Sequence, residues 1–280
     1  MAQSVARAFA PGNVSCVFKI VPHDDPTRMH SLGMGFTVAD GVSASVRPAA
    51  SVSISFNGRA IDFPTVAAVV SGMALECVRV ELVSPLPLSS GFGLSGASAL
   101  ATGYALNRLF GLGLDDEKVA MQAHVAEVEQ LTGLGDVGGQ YHGGCLVKLR
   151  EGHPLAAERL PVDEQEVFYR YISPIKTSDV LADAEKRGRI NAAAEVALEA
   201  LEEILDEGTA TLPLCLGIAR QFAVDSALMR DAEVMETVSS VVEEGGAASM
   251  IMLGNAVVSN RPFPGATSTL LSRRAAGIVD

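Results

Sequence analysis

One segment constrains this chain more than any other. From Ser84 to Leu114 the only charged side chain is Arg108. Within it, Leu88-Ser89-Ser90-Gly91-Phe92-Gly93-Leu94-Ser95-Gly96-Ala97-Ser98-Ala99-Leu100 is a Gly/Ser loop running straight into an Ala-rich helix that ends near Phe110-Gly111. Glycines let a backbone curl until several N–H groups point inward, and a helix N-terminus adds about half a positive charge there, which is a recipe for holding an anion. The loop is not a Walker A element, because the Lys-[Ser/Thr] pair is absent. It is not a dinucleotide fingerprint either, because no acid follows about 20 residues later at a strand end. A tight strand-to-helix crossing would use the same glycines for close packing alone.

The flanking sequence predicts an α+β fold. The first 85 residues read as strands, at 15–21, 36–38, 43–46, 51–56 and 77–83; the last three alternate small or polar residues with apolar ones at the two-residue period of a half-covered strand. Asn57-Gly58 is a hairpin turn. A second helix starts at Asp115-Asp116, with acids in its first turn, and runs to Leu131. A loop over 132–139 and a strand over 144–149 follow. Thr177-Ser178-Asp179 caps a helical region to about Glu207 that Gly188 nicks. Amphipathic helices cover 214–227 and 231–243, and 247–254 reads as a strand and loop. Strands first and helices grouped later suggest two lobes meeting near 150–172, with one domain over 1–155 and another over 156–280.

Charge and cysteine usage narrow the classes. Lys and Arg total 21 against 33 Asp and Glu, a formal net charge of −12, which argues against nucleic acid and anionic membrane as partners. The first 150 residues carry 10 basic and 12 acidic side chains, so the deficit lies behind them, and 183–207 alone hold eight acids against three bases. Such a stretch reads as a solvated helical face. No unbroken apolar run of about 20 residues is present. The first residues, broken by Pro11-Gly12, do not read as a signal peptide. Cys16, Cys77, Cys145 and Cys215 form no CxxC pair and read as four buried thiols, which suits a reduced, cytoplasmic setting.

Pro85-Leu-Pro-Leu-Ser-Ser-Gly91-Phe92-Gly93-Leu94-Ser95-Gly96-Ala97-Ser98-Ala99 is similar to the second motif of the GHMP kinases, P-x-x-x-G-L-G-S-S-A-A, and Pro11-Gly12-Asn13-Val14 resembles their opening P-G-R-V. The resemblance implies a GHMP kinase fold: an N-terminal ribosomal-protein-S5-like lobe and a C-terminal ferredoxin-like lobe with ATP between them. It implies ATP and Mg2+ as cofactors. It assigns Pro87, Ser89, Ser90, Gly91, Gly93, Leu94, Ser95, Gly96, Ala97 and Ser98 to the phosphates. Two departures stand out. Ser95-Gly96-Ala97 occupies the place of the family's Gly-Ser-Ser, so the metal-holding hydroxyl is missing there and Ser95, Ser98 or water must replace it. The third motif is weak, with Gly245-Gly246-Ala247-Ala248-Ser249-Met250 and Leu253-Gly254-Asn255 in its position. The departures themselves, with Thr132-Gly-Leu-Gly-Asp136-Val137, Gln140-x-x-Gly143-Gly144, Ser173-Pro174-Ile175-Lys176-Thr177 and Ser249-Met250-x-Met252-Leu253-Gly254, resemble one archaeal branch that serves coenzyme A biosynthesis.

Phosphoryl transfer needs a phosphate cradle, a metal holder and a group that positions or deprotonates the attacking hydroxyl. Asp136, in a Gly-rich loop directly after a helix, is the candidate base, and it matches the family's catalytic Asp; the alternative is a turn Asp capping its own loop. Met121, Val125, Val128 and Leu131 form an apolar stripe on the preceding helix, with Glu127 and Glu129 on its opposite edges. Periodicity does not choose between these acids as metal holder; the family's Ala-Glu pair favours Glu127 through Ala126-Glu127, with Ser98 beside it. The His23-Asp24-Asp25-Pro26-Thr27-Arg28 run suits a loop better than a metal shell. By resemblance it meets the acceptor, with Arg28 as a candidate for a carboxylate and His23 or Asp24 for a hydroxyl. Ser173, Lys176, Thr177 and Arg220 are further substrate candidates. His124, His142 and His153 read as structural. The expectation is therefore a kinase for a small-molecule hydroxy acid, without nucleic-acid or membrane partners and with room for a homodimer. Mevalonate, homoserine or shikimate remain as other acceptors, and a catalytically silent nucleotide-binding paralogue as another class.

Overall fold

The computed structural model describes residues 4–175 and 177–279. Two long strands, β1 (Ala6–Val21) and β2 (His30–Pro48), form an antiparallel ribbon that carries the rest. The register slips between Pro11 and Gly12, so the proline that reads as a chain breaker sits at a bulge inside β1. Segments 36–38 and 43–46 join through Gly41 into one strand; a Cβ there would lie 2.2 Å from the Ala10 carbonyl oxygen, so the ribbon closes only over glycine. β3 (Ser53–Phe56) and β4 (Arg59–Ala60) make the expected hairpin, with Asn57 and Gly58 at φ 48° and 78°.

Residues 64–73 correct the all-strand expectation: they form α1 (Pro64–Met73). Pro64 opens the helix where a missing N–H is tolerated, and Thr65, Val66, Val69, Val70 and Met73 make a buried helical stripe. β5 (Val78–Val83) then pairs antiparallel with β2 and parallel with β3.

Next come α2 (Leu94–Phe110), α3 (Asp116–Glu129) and α4 (Asp136–His142). Helix α2 is buried almost all round, packed on β1 and β2 with α1, α3 and α4 over it; its Gly and Ala residues let those neighbours approach. The stripe expected on α3 is not the face it buries. Val119, Ala120, Ala123, His124, Ala126, Glu127 and Val128 are buried, whereas Leu131 is exposed. Small side chains rather than bulky ones mark the contact with α2. Residues 136–139, expected as loop, are the first turn of α4.

β6 (Cys145–Lys148) adds to β2 and pairs with β7 (Glu158–Arg159). β8 (Gln165–Ser173) leads to α5 (Thr177–Leu181) and α6 (Ala184–Asp206). The break between these helices lies before Ala184, where the Asp183 side chain caps α6, and Gly188 is an ordinary helical residue. α7 (Leu212–Asp225) and α8 (Ala232–Glu243) follow, then β9 (Ala248–Met250), β10 (Asn255–Ser259), β11 (Thr267–Leu271) and β12 (Gly277–Ile278). The sheet runs β4-β3-β5-β2-β11-β8-β10-β9, joined across its middle by Leu271 opposite Val38, while β12 returns to β1. Of the cysteines, Cys16, Cys145 and Cys215 are buried, but Cys77 is exposed just before β5, which corrects the expectation of four buried thiols. Among the described residues no helix is long and apolar enough to cross a membrane.

Candidate active site

The Gly/Ser loop ends at a helix start built to face an anion. Gly93 is the N-cap of α2 in the left-handed conformation and contributes no side chain to the first-turn amides; no acid occupies that turn. Helix N-terminal amides without intrahelical acceptors are then available to a ligand. Ser89 to Ser95 line a cavity of about 570 Å³ between the loop, α1, the β1–β2 ribbon and the start of α4. Ser90 Oγ donates to the Pro87 carbonyl at 2.5 Å and pins the loop's approach. Behind it packs the segment of the weak third motif. A Cβ on Gly91 would lie 2.8 Å from Ile251 Cγ2, and one on Gly254 would lie 2.2 Å from the Ser90 carbonyl carbon.

Asp136, the first residue of α4, stands on the cavity wall. Its Oδ1 accepts from Asn13 Nδ2 at 2.8 Å and Ser15 Oγ at 2.7 Å. Burial raises its carboxyl above the usual range, and the two hydrogen bonds pull it partly back. Gly93 lies flat against it: a Cβ there would be 2.7 Å from Asp136 Cγ. The Asp136 carboxyl and the start of α2 therefore touch across a position that only glycine fills.

Glu127 is buried and Glu129 exposed. Ser95 Oγ donates to Glu127 Oε1 at 2.5 Å, and Oε2 lies over Gly96 and Gly133, where added Cβ atoms would come within 2.7 and 2.6 Å. Burial and the charge of Asp136 raise Glu127 well above the ordinary carboxylate range, against the pull of Ser95 and Thr132. The glycine in place of the motif serine thus leaves room for this carboxylate, and a hydroxyl reaches it from one residue earlier. An oxygen-only pair of this kind suits Mg2+, which takes one or two carboxylates and completes its shell with phosphate and water. No group of three or more His, Cys, Asp or Glu side chains that could hold a metal occurs among the described residues.

The other sequence candidates fall in three places. Leu94 and Thr177 line the cavity. Gly96, Ala97 and Ser98 lie inside α2 away from its wall, Ser98 fully buried with no partner for its Oγ. Pro87, Ser173 and Arg220 are off the wall too, Ser173 accepting from Asn255 Nδ2 at 2.9 Å. His23, Asp24 and Arg28 are exposed on the β1–β2 turn, outside the wall. Asp25 organises that turn by accepting from Thr27, and the rings of His30 and His124 hold the carbonyls of Arg28 and Met29. Burial lowers His124 to about 4, so it works as a neutral ring. Lys176 lies outside the described residues.

One cavity residue went unnoticed in the sequence. Lys148, opposite Gly33 across β6 and β2, is the one basic side chain among the described residues lining the cavity. Its Nζ donates to the His153 and Pro154 carbonyls at 2.6 and 3.1 Å, and burial lowers it to about 8. The available signal was a lone cation closing the apolar strand at 144–149. Asn13 and Ser15 carried no signal beyond the Pro-Gly-Asn-Val motif.

Comparison with known proteins fits this geometry. The family model "GHMP kinases N terminal domain" matches residues 64–144, from α1 to the end of α4. A pantoate kinase of Methanospirillum hungatei is 30% identical over 255 residues, covering 88% of this chain and 84% of the relative. One of Thermococcus kodakarensis is 31% identical over 265 residues, covering 89% and 85%. A solved structure described as a phosphotransferase related to the CoA biosynthesis pathway superposes with a TM-score of 0.83 at 24% identity, covering 98% of each chain. The fold is that of the GHMP class of small-molecule kinases. Within that class, the chain belongs to the pantoate kinase family.

Proposed function

We propose that this chain transfers the terminal phosphoryl group of ATP to the terminal hydroxyl of (R)-pantoate, giving 4-phosphopantoate. The observation that carries the proposal is Asp136 set against the bare N-terminus of α2 on one cavity wall. In the proposed mechanism the first-turn amides of α2 hold the phosphates. Glu127, with Ser95, is the proposed holder of Mg2+, which when bound offsets charge on the phosphates. Asn13 and Ser15 occupy Oδ1 of Asp136, which leaves Oδ2 to orient the acceptor hydroxyl and take its proton. Lys148 is the proposed partner of the acceptor carboxylate, ahead of the exposed Arg28.

The test is a coupled assay of ADP release over pantoate, mevalonate, homoserine and shikimate. Turnover of pantoate alone is expected; turnover of mevalonate without pantoate overturns the assignment. Losing a hydrogen bond to a charged group removes about 1.5–3 kcal/mol, so Lys148→Met should raise the pantoate KM by about 10- to 100-fold while leaving that for ATP in place. Because burial brings Lys148 down to about 8, the ammonium is charged below that pH and lost above it. The pantoate KM should therefore climb as pH rises past about 8, and Lys148→Arg, which stays charged, should flatten the climb. A flat wild-type profile would remove Lys148 from the acceptor site.

A further inference from the structure

Gln140 has no part in the mechanism above, yet its side chain bonds to the residue that opens α2. It lies one turn after Asp136 on α4 and is fully buried. Its Nε2 donates at 2.8 Å to the carbonyl of Gly93, the left-handed residue that opens α2. Only the NH2 end of an amide can serve a carbonyl acceptor, so this bond fixes which way the amide faces. The carbonyl end, Oε1, then points toward Gly96, where it has no hydrogen-bond donor. A Cβ on Gly96 would lie 3.0 Å from Gln140 Oε1 and 2.7 Å from Glu127 Oε2, so these two oxygens share one small space beside the helix backbone. A fully buried amide carbonyl without a donor is rarely kept for packing alone, since an apolar side chain of the same length would avoid the penalty.

Resting on the reading of this cavity as a phosphoryl-transfer site, we propose that Gln140 is a positioning residue for that reaction: it locks the Gly93 carbonyl at the entry of the phosphate-binding helix, so that the cradle and Asp136 hold one geometry. The lock acts on both sides. Gly93 is pressed between Asp136 and the Gln140 amide, which a Cβ there would approach to 3.0 Å. Release of the amide would free Gly93 to leave its left-handed conformation, turning the first-turn amides away from the phosphates. The same release would leave α4, and Asp136 with it, tied to the loop through Asn13, whose N–H donates to the Phe92 carbonyl at 2.9 Å and whose Nδ2 donates to Asp136.

The experiment compares wild type with Gln140→Met, which keeps the length and removes both polar ends, and Gln140→Glu, which keeps an acceptor and removes the donor to Gly93. Binding of a non-hydrolysable ATP analogue by calorimetry, with thermal stability recorded alongside, reads the cradle without any acceptor. Leaving the Gly93 carbonyl without its donor should weaken analogue binding by about 10- to 100-fold. Both variants should show that loss, while the acceptor KM of Gln140→Glu changes far less than its ATP KM. Analogue affinity equal to wild type in a folded variant, with only the melting temperature lowered, would overturn the positioning role. Hydrogen exchange on wild type covers the case in which neither variant folds: on adding the analogue, amides of 91–98 and 136–143 should gain protection together, and protection confined to 91–98 would overturn the lock. These binding and exchange measurements stand even if pantoate is the wrong acceptor, whereas a wild type that binds no nucleotide removes the kinase reading and the lock together.

Discussion

Asp136→Asn should lower kcat by about 10²- to 10⁴-fold, the contribution of a positioned general base, while leaving affinity for a non-hydrolysable ATP analogue near the wild-type value. The asparagine keeps an oxygen for Asn13 Nδ2 and Ser15 Oγ, the two donors that hold Oδ1, so the start of α4 should keep its place. What disappears is the second carboxylate oxygen, and with it the group that takes the hydroxyl proton. Steady-state rates beside calorimetry separate the two. Undiminished turnover would exclude Asp136 as the base, and nucleotide binding without turnover in the wild type would point to a silent paralogue. Because burial raises this carboxyl, wild-type turnover should also fall as pH is lowered through that raised value, where the base becomes protonated.

Gly96→Ser restores the residue that the family motif carries here, and it should damage the protein. The new Cβ would come within 2.7 Å of Glu127 Oε2 and 3.0 Å of Gln140 Oε1. Both side chains are buried and held by hydrogen bonds from Ser95 and to Gly93, so neither has open space into which to withdraw. Overpacking of this kind costs about 1–3 kcal/mol, which a lowered melting temperature would register. Displacing Glu127 should in addition cut transfer by about 10- to 100-fold and raise the Mg2+ concentration required. Ser95→Ala is the companion variant: it adds no bulk but leaves Oε1 of the buried Glu127 short of its main donor, so it should raise the Mg2+ requirement and cost about 1–3 kcal/mol of stability. A Gly96→Ser enzyme as active as wild type would mean that the carboxylate has another place to sit and that the glycine is incidental.

Local chemistry made some parts of this molecule readable and left others hidden. The hairpin at Asn57-Gly58, the Asp115 cap of α3 and the strand-to-helix passage at Leu94 announce themselves, because each depends on the conformational preference of one or two residues. Helix α1 did not, since its Val and Thr content favours a strand in isolation; a buried stripe against α2 outweighs that preference. Gly138-Gly139 read as loop for a similar reason. A Cβ on Gly139 would stand 2.4 Å from Asn13 Oδ1, so that glycine serves close packing rather than a turn. In the site, the chain-local run at His23–Arg28 drew notice because its polar residues are adjacent, whereas Lys148 reaches the cavity through strand pairing with Gly33. Pairing across 115 positions leaves no trace in a single sequence. Gln140 stands out in the sequence only within Gln140-x-x-Gly143-Gly144, and its bond to Gly93, which spans the whole of α2 and α3, is hidden in the same way.

The bare helix terminus has a consequence for how fast the site fills. With a formal net charge of −12 and a cradle of amides rather than lysines, the protein offers an approaching nucleotide no distant attraction, only contact-range hydrogen bonds. Long-range steering would here work against capture, since like charges repel across a Debye length of about 10 Å at 0.1 M salt. Added salt screens that repulsion, so the association rate should rise with ionic strength, the reverse of an enzyme that draws phosphates in with surface cations. Salt in the medium thus lowers a barrier that the protein's own charge erects.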